Sequence, residues 1–189
     1  MCLAGLLRPD AGRIFWDGRE LGPARGRQIA LMPETPEVYD MLTVWEHMVF
    51  VARSCRLDAG WRDRADRLIR RLDLAGQRDK LGEALSKGMR QKLLVAASIL
   101  AGTPVLLLDE PMIGLDPGAQ RELREILVEL RDRGAAIVVS THLLENVRSF
   151  CDRLLILKQG RPVAGGTLDE LLAQHRGKSL EEAFLDIVG

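Results

Sequence analysis

Two carboxylates stand side by side in Leu106-Leu107-Leu108-Asp109-Glu110-Pro111, directly after an apolar run. That run, from Val105 to Leu108, is continuous rather than alternating, the pattern of a strand buried on both faces of a parallel sheet. Such a strand delivers Asp109 and Glu110 to its carboxyl end, where open α/β sheets place their ligands. An aspartate there can hold Mg2+, which prefers oxygen donors, and Glu110, facing another way, can polarise an attacking water. Four aliphatic residues and an Asp-Glu pair fit a plain strand with an acidic turn equally well, so the neighbours must decide. Leu85-Ser86-Lys87-Gly88-Met89 puts a hydroxyl and a glycine before an apolar helix expected from Met89 to Ala101. Free backbone N–H groups at such a start make an anion site, although an ordinary capped helix reads the same. Ser140-Thr141-His142 closes the next apolar run. Parallel pairing of 105–108 with 135–140 would bring His142 to the edge that carries Asp109 and Glu110, where it could sense a phosphate.

The elements that must position these groups are legible in outline. Asp116-Pro117 is an N-cap followed by Pro at the first helical position. The helix it opens buries Ala119, Leu123, Ile126, Leu127 and Leu130, and Gly134 stops it. Ala135 to Ser140 reads as a second buried strand, so 105–140 is a strand–helix–strand unit with an expected right-handed crossover. Arg13 to Gly18 reads as a strand ending in an Asp-Gly hairpin turn, and Gln28 to Met32 is another apolar run, broken by Pro33 and Pro36. Helical spacing recurs over 44–52 and 61–74, where the interleaved Arg and Asp residues read as a solvated face. Leu154–Leu157 and Pro162–Ala164 suggest a hairpin, and Thr167 with Glu170 and Ser179 with Glu182 fit capping boxes of two C-terminal helices. The fold class is α/β, with a helical insertion at about 40–100.

Composition narrows the function classes. Lys+Arg and Asp+Glu are 27 each in 189 residues, so the net charge is zero, which argues against a dedicated nucleic-acid binder. Hydrophobic residues at 47% and charged residues at 29% fit a folded domain, and aromatics at 4% leave an aliphatic core. Cys2, Cys55 and Cys151 have neither disulfide nor metal-ligand spacing and read as reduced thiols of a cytosolic protein. No apolar run reaches membrane-span length.

The order of these segments resembles the ATP-binding cassette (ABC) ATPases. Leu85-Ser86-Lys87-Gly88-Met89 resembles the signature motif, Leu106 to Glu110 Walker B, Gly114-Leu115-Asp116 the D-loop and His142 the switch histidine. Met32-Pro33-Glu34 falls at the Q-loop, with Glu34 in place of the usual Gln. The resemblance implies a P-loop NTPase-like core over 1–189 with a helical signature subdomain at 40–100. It implies ATP and Mg2+ as ligands, with Asp109 on the metal, Glu110 as the general base and His142 on the γ-phosphate. Glu34, Ser86, Gly88 and Asp116 are the remaining expected nucleotide-site residues, Ser86 and Gly88 serving the site of the opposite subunit. The implied partners are a transmembrane permease and a second ABC subunit, in homo- or heterodimer, with no nucleic acid. The implied place is the cytoplasmic face of the cell membrane, and Ser-Lys-Gly-Met with Gln91-Lys92 is similar to subunits of exporter type.

One family motif is missing from these residues. The phosphate loop G-x-x-x-x-G-K-[ST], which supplies much of the positioning and charge in such sites, does not occur. Gly177-Lys178-Ser179 is a decoy, because Leu172 stands where the motif needs Gly and Ser179 opens a capping box. By the family's order, Met1 to Leu7 is expected to be the helix that follows that loop, so the chain reads as N-terminally truncated, lacking the first strands, and inactive alone. The competing readings are a degenerate subunit that lends Ser86 and Gly88 to an intact partner, and a non-transport ABC protein.

Overall fold

The computed structural model describes residues 1–22, 25–147, 150–174 and 179–188. The chain divides into two compact units, Met1–Thr141 and His142–Gly189.

In the first unit, β1 (Phe15–Trp16) and β2 (Arg19–Glu20) form the expected hairpin around Asp17-Gly18. Both turn residues have positive φ, 49° and 73°, as a two-residue turn of matching twist requires. A three-stranded parallel sheet follows, with order β3–β4–β5, made of β3 (Ile29–Met32), β4 (Val105–Asp109) and β5 (Ala136–Ser140). Met32 stands opposite Leu108, and Asp109 opposite Ser140. Val105 to Leu108 are all buried, as a continuous apolar run in a central strand should be.

Two expectations need correction. Ala135 to Ser140 reads as buried, yet β5 is half-exposed and Val138 is 52% accessible. Among the described residues β5 pairs only with β4, so it is an edge strand, and an edge covers less of its side chains. Met1 to Leu7 forms hydrogen-bonded turns instead of a helix, with Gly5 at φ 80°. The guanidinium of buried Arg25 holds these turns, donating to the carbonyls of Cys2 (2.8 Å) and Leu3 (3.2 Å), and is itself fixed by a bond to the nearby Gly22 carbonyl (2.6 Å).

Three helices lie between β3 and β4: α1 (Val44–Ser54), α2 (Trp61–Arg71) and α3 (Lys87–Leu100). Thr43 and Glu46 close a capping box on α1, a start signal that hydrophobic spacing alone does not reveal. α3 packs against α1 and α2 and also against β3, which explains burial on nearly every side: Leu93, Val95 and Ala96 are inaccessible. α4 (Pro117–Asp132) then connects β4 to β5. Arg71 at the end of α2 pairs with Glu122 and Glu129 of α4, so the helical stretch is tied to α4 by charge. These pairs raise the Arg71 pKa, the Glu129 hydrogen bond contributing most.

The second unit holds α5 (Leu144–Val147), an antiparallel hairpin of β6 (Leu154–Lys158) and β7 (Arg161–Gly166), and the helices α6 (Leu168–Gln174) and α7 (Leu180–Val188). Both expected capping boxes are present: Thr167 with Glu170, and Ser179 with Glu182. Gly177 and Lys178 of the decoy lie outside the described residues. Cys2, Cys55 and Cys151 are free thiols, and burial, then Asp152, pushes the Cys151 thiol up to about 11.

Candidate functional site

Parallel pairing sends the chain out of β3, β4 and β5 at one edge, and the acidic pair leaves there. Asp109 is the exposed last residue of β4, and the Ser140 hydroxyl opposite it donates to Asp109 Oδ1. Glu110 donates its N–H to the Ser140 carbonyl (2.9 Å), extending the ladder by one bond. Its side chain accepts from Thr141 Oγ1 at 3.0 Å. The Glu110 backbone sits at φ 46°, a left-handed conformation that costs a non-glycine residue about 1–2 kcal/mol. Such strain persists where surrounding contacts over-determine it, commonly at functional positions. Glu34 is exposed two residues beyond the end of β3, at the same edge.

The second group is the start of α3. Ser86 is the exposed N-cap, its hydroxyl accepting from the Met89 N–H at 3.3 Å. Gly88 faces the turn after the acidic pair: a Cβ there would stand 2.8 Å from the Gly114 carbonyl oxygen, backbone on both sides. Only glycine permits that approach. Gly114 itself turns at φ 77°.

Side chains from two helices bind the segment between these groups. Buried Gln91 of α3 donates to the Pro111 carbonyl (3.4 Å). Gln120 of α4 donates to the carbonyls of Met112 and Leu115, both at 3.2 Å. Lys92 of α3 buries its stem and meets Asp116 Oδ2 at 2.9 Å, while Asp116 Oδ1 caps α4 through the Ala119 N–H. The acidic pair and the α3 start are thus linked through residues 111–116.

Sequence reading did not assign roles to Ser140, Thr141, Lys92 or Gln120. Ser140 and Thr141 carry the signal in being consecutive hydroxyls at a strand end, and only the β4–β5 register reveals their partners. His142 is exposed and is the first residue of the second unit, immediately after Thr141 in the chain. Among the described residues no group of three His, Cys, Asp or Glu could cage a metal. One carboxylate beside a hydroxyl nevertheless fits Mg2+, which protein sites usually hold by one or two carboxylates with phosphate oxygens and water.

The Lys92 ammonium first, and the Ala119 N–H second, hold the Asp116 carboxyl below its ordinary value. A lowered folded value means stability present above the unfolded value of about 3.9 and lost as pH falls through the folded one. Asp116→Ala removes cap and ion pair together and should cost about 0.5–2 kcal/mol at neutral pH. Asp116→Asn keeps the cap, and the exposed carboxylate limits its cost to about 1 kcal/mol or less. Thermal melts of both variants against the parent, at neutral pH and in acid below the folded value, check this. The gap between Asn and parent must close in acid.

Comparison with known proteins bears on this arrangement. A family model described as ABC transporter matches residues 1–113. The chain is 33% identical over 181 residues to an uncharacterized ABC transporter ATP-binding protein of Synechocystis, covering 93% of this chain but only 51% of that one. It is 31% identical over 183 residues to the lipopolysaccharide export system ATP-binding protein LptB of Haemophilus influenzae, covering 93% and 76%. The chain therefore spans about half the length of the first relative and three quarters of the second. The solved structure of an ATP binding subunit of an ABC transporter superposes with TM-score 0.91 at 35% identity, covering 98% of this chain and 80% of that one. With a family match over more than half its residues, and an α/β cassette whose acidic pair and α3 start are held to one connecting segment, the chain belongs to the ABC transporter ATP-binding family.

Proposed function

We propose that these residues, which carry no phosphate loop of their own, serve within the ATP-hydrolysing subunit of an ABC transporter of exporter type, at the cytoplasmic face of the membrane with a permease and a second ABC subunit. One observation carries the reading: Asp109 ends a buried parallel strand with Glu110 directly after it, and each carboxylate accepts a hydrogen bond from a hydroxyl at the end of the neighbouring strand. In this reading Asp109 holds Mg2+, which when bound neutralises charge on the phosphate oxygens. Glu110 orients water toward the terminal phosphate as general base, and His142 contacts that phosphate. Glu34 links the metal side to the helical subdomain at 40–100, and Asp116 keeps the D-loop against α3. Ser86 and Gly88 complete the site of the opposite subunit. The export function named for the Haemophilus relative supports the exporter type.

Ser86, exposed at the α3 start, favours a second reading in which the chain mainly lends that start to a partner's site. One experiment addresses both. The chain, tagged at its native locus, is isolated with its membranes and photolabelled with azido-ATP in the presence of Mg2+. The expected result is membrane association that alkaline carbonate releases, with label on this chain. Label confined to a partner favours the second reading. A nucleotide-blind protein that never sediments with membranes overturns both.

A further inference from the structure

Glu110 sits at φ 46°, a backbone that its residue type disfavours and that persists where surrounding contacts over-determine it. One such contact follows from the register. Asp109 stands opposite Ser140 and the Glu110 N–H bonds to the Ser140 carbonyl, so Thr141 comes level with Glu110, and its hydroxyl reaches Oε2 at 3.0 Å. Two consecutive hydroxyls thereby serve two consecutive carboxylates, Ser140 on Asp109 and Thr141 on Glu110. A β-branched residue suits this task, because its restricted χ1 holds the hydroxyl in place.

We propose that Thr141 is a positioning residue for Glu110, its hydroxyl setting the direction in which that carboxylate points. The inference rests on the reading of Glu110 as the group that orients water. A Thr that merely completed a strand end would affect stability and leave the rate of the bound complex alone.

The test uses Thr141→Val, which keeps the shape and removes the donor, Thr141→Ser, which keeps the donor, and Glu110→Gln as reference. Hydrogen exchange over 109–115 is read in the full chain without nucleotide, and kcat and KM in the native membrane complex. For Thr141→Val the expected results are faster exchange of that segment and a kcat lower by about 10- to 100-fold, the range for losing a hydrogen bond to a charged group. KM should stay unchanged, and Thr141→Ser should restore most of both. Parental exchange and kcat in Thr141→Val, a change confined to KM, or a Ser variant as impaired as Val would each overturn the proposal. Glu110→Gln at the parental rate sinks the reading of Glu110 itself. An inactive Glu110→Gln beside a fully active Thr141→Val sinks only the role of Thr141.

Discussion

Glu110→Gln is expected to lower ATP turnover in the assembled complex by about 10²- to 10⁴-fold, the usual contribution of a positioned proton-transfer group. Folding should be untouched. The amide has the size of the carboxylate and its oxygen can still accept from Thr141 Oγ1, so the hydrogen bond that aims the side chain survives. The backbone bond to Ser140 does not involve the side chain at all. What disappears is the capacity to take a proton from water. Because Asp109, the expected metal ligand, is unchanged, nucleotide should stay bound. The measurement pairs phosphate release with the amount of labelled nucleotide retained after rapid filtration. Parental phosphate release would contradict the base role; loss of nucleotide together with loss of turnover would point to a structural role for Glu110.

Leu123→Ala tests the opposite case, in which chemistry is intact and the support fails. Leu123 is inaccessible on α4, the helix that follows the 111–116 segment and packs against β5. Deleting a fully buried leucine side chain down to Ala typically costs about 2–5 kcal/mol, transfer energy plus the cavity left behind. At about 2–4 °C per kcal/mol for a chain of this size, the melting temperature should fall by several degrees or more. The chain has two compact units that can melt in separate transitions. Trp16, Trp45 and Trp61 all lie in Met1–Thr141, so tryptophan fluorescence follows the unit that contains the substitution. An unchanged fluorescence transition would mean that α4 does not support this unit as its burial implies.

The contrast between these variants parallels what was legible in the residues. Motif order by itself singles out Asp109, Glu110, Ser86, Gly88, Asp116 and His142 as candidates, because each motif is a local cluster with its own chemistry. Turn and cap signals were equally local: Asp17-Gly18, Asp116-Pro117 and both C-terminal capping boxes stand where their residues demand. Locality also explains the failures. A continuous apolar run predicts burial only if both faces and both edges are covered, and β5 pairs with β4 alone among the described residues, leaving Val138 exposed. Met1 to Leu7 has helical composition but settles into turns held by Arg25, a contact that spans more than twenty residues of sequence.

By itself, then, the sequence determined the family, the α/β class, the identity of the acidic pair and the position of most helix starts, since these depend on residue type and short spacing. Tertiary structure alone decided who holds whom. The β4–β5 register pairs Ser140 with Asp109 and Thr141 with Glu110, separations of 31 positions each. The packing of α3 beside the turn brings Gly88 to the Gly114 carbonyl and Lys92 to Asp116. Hydrogen bonds and close backbone approaches require ångström-scale placement of residues far apart in the chain, and that placement is set by the collective packing of the sheet and helices, not by any local pattern.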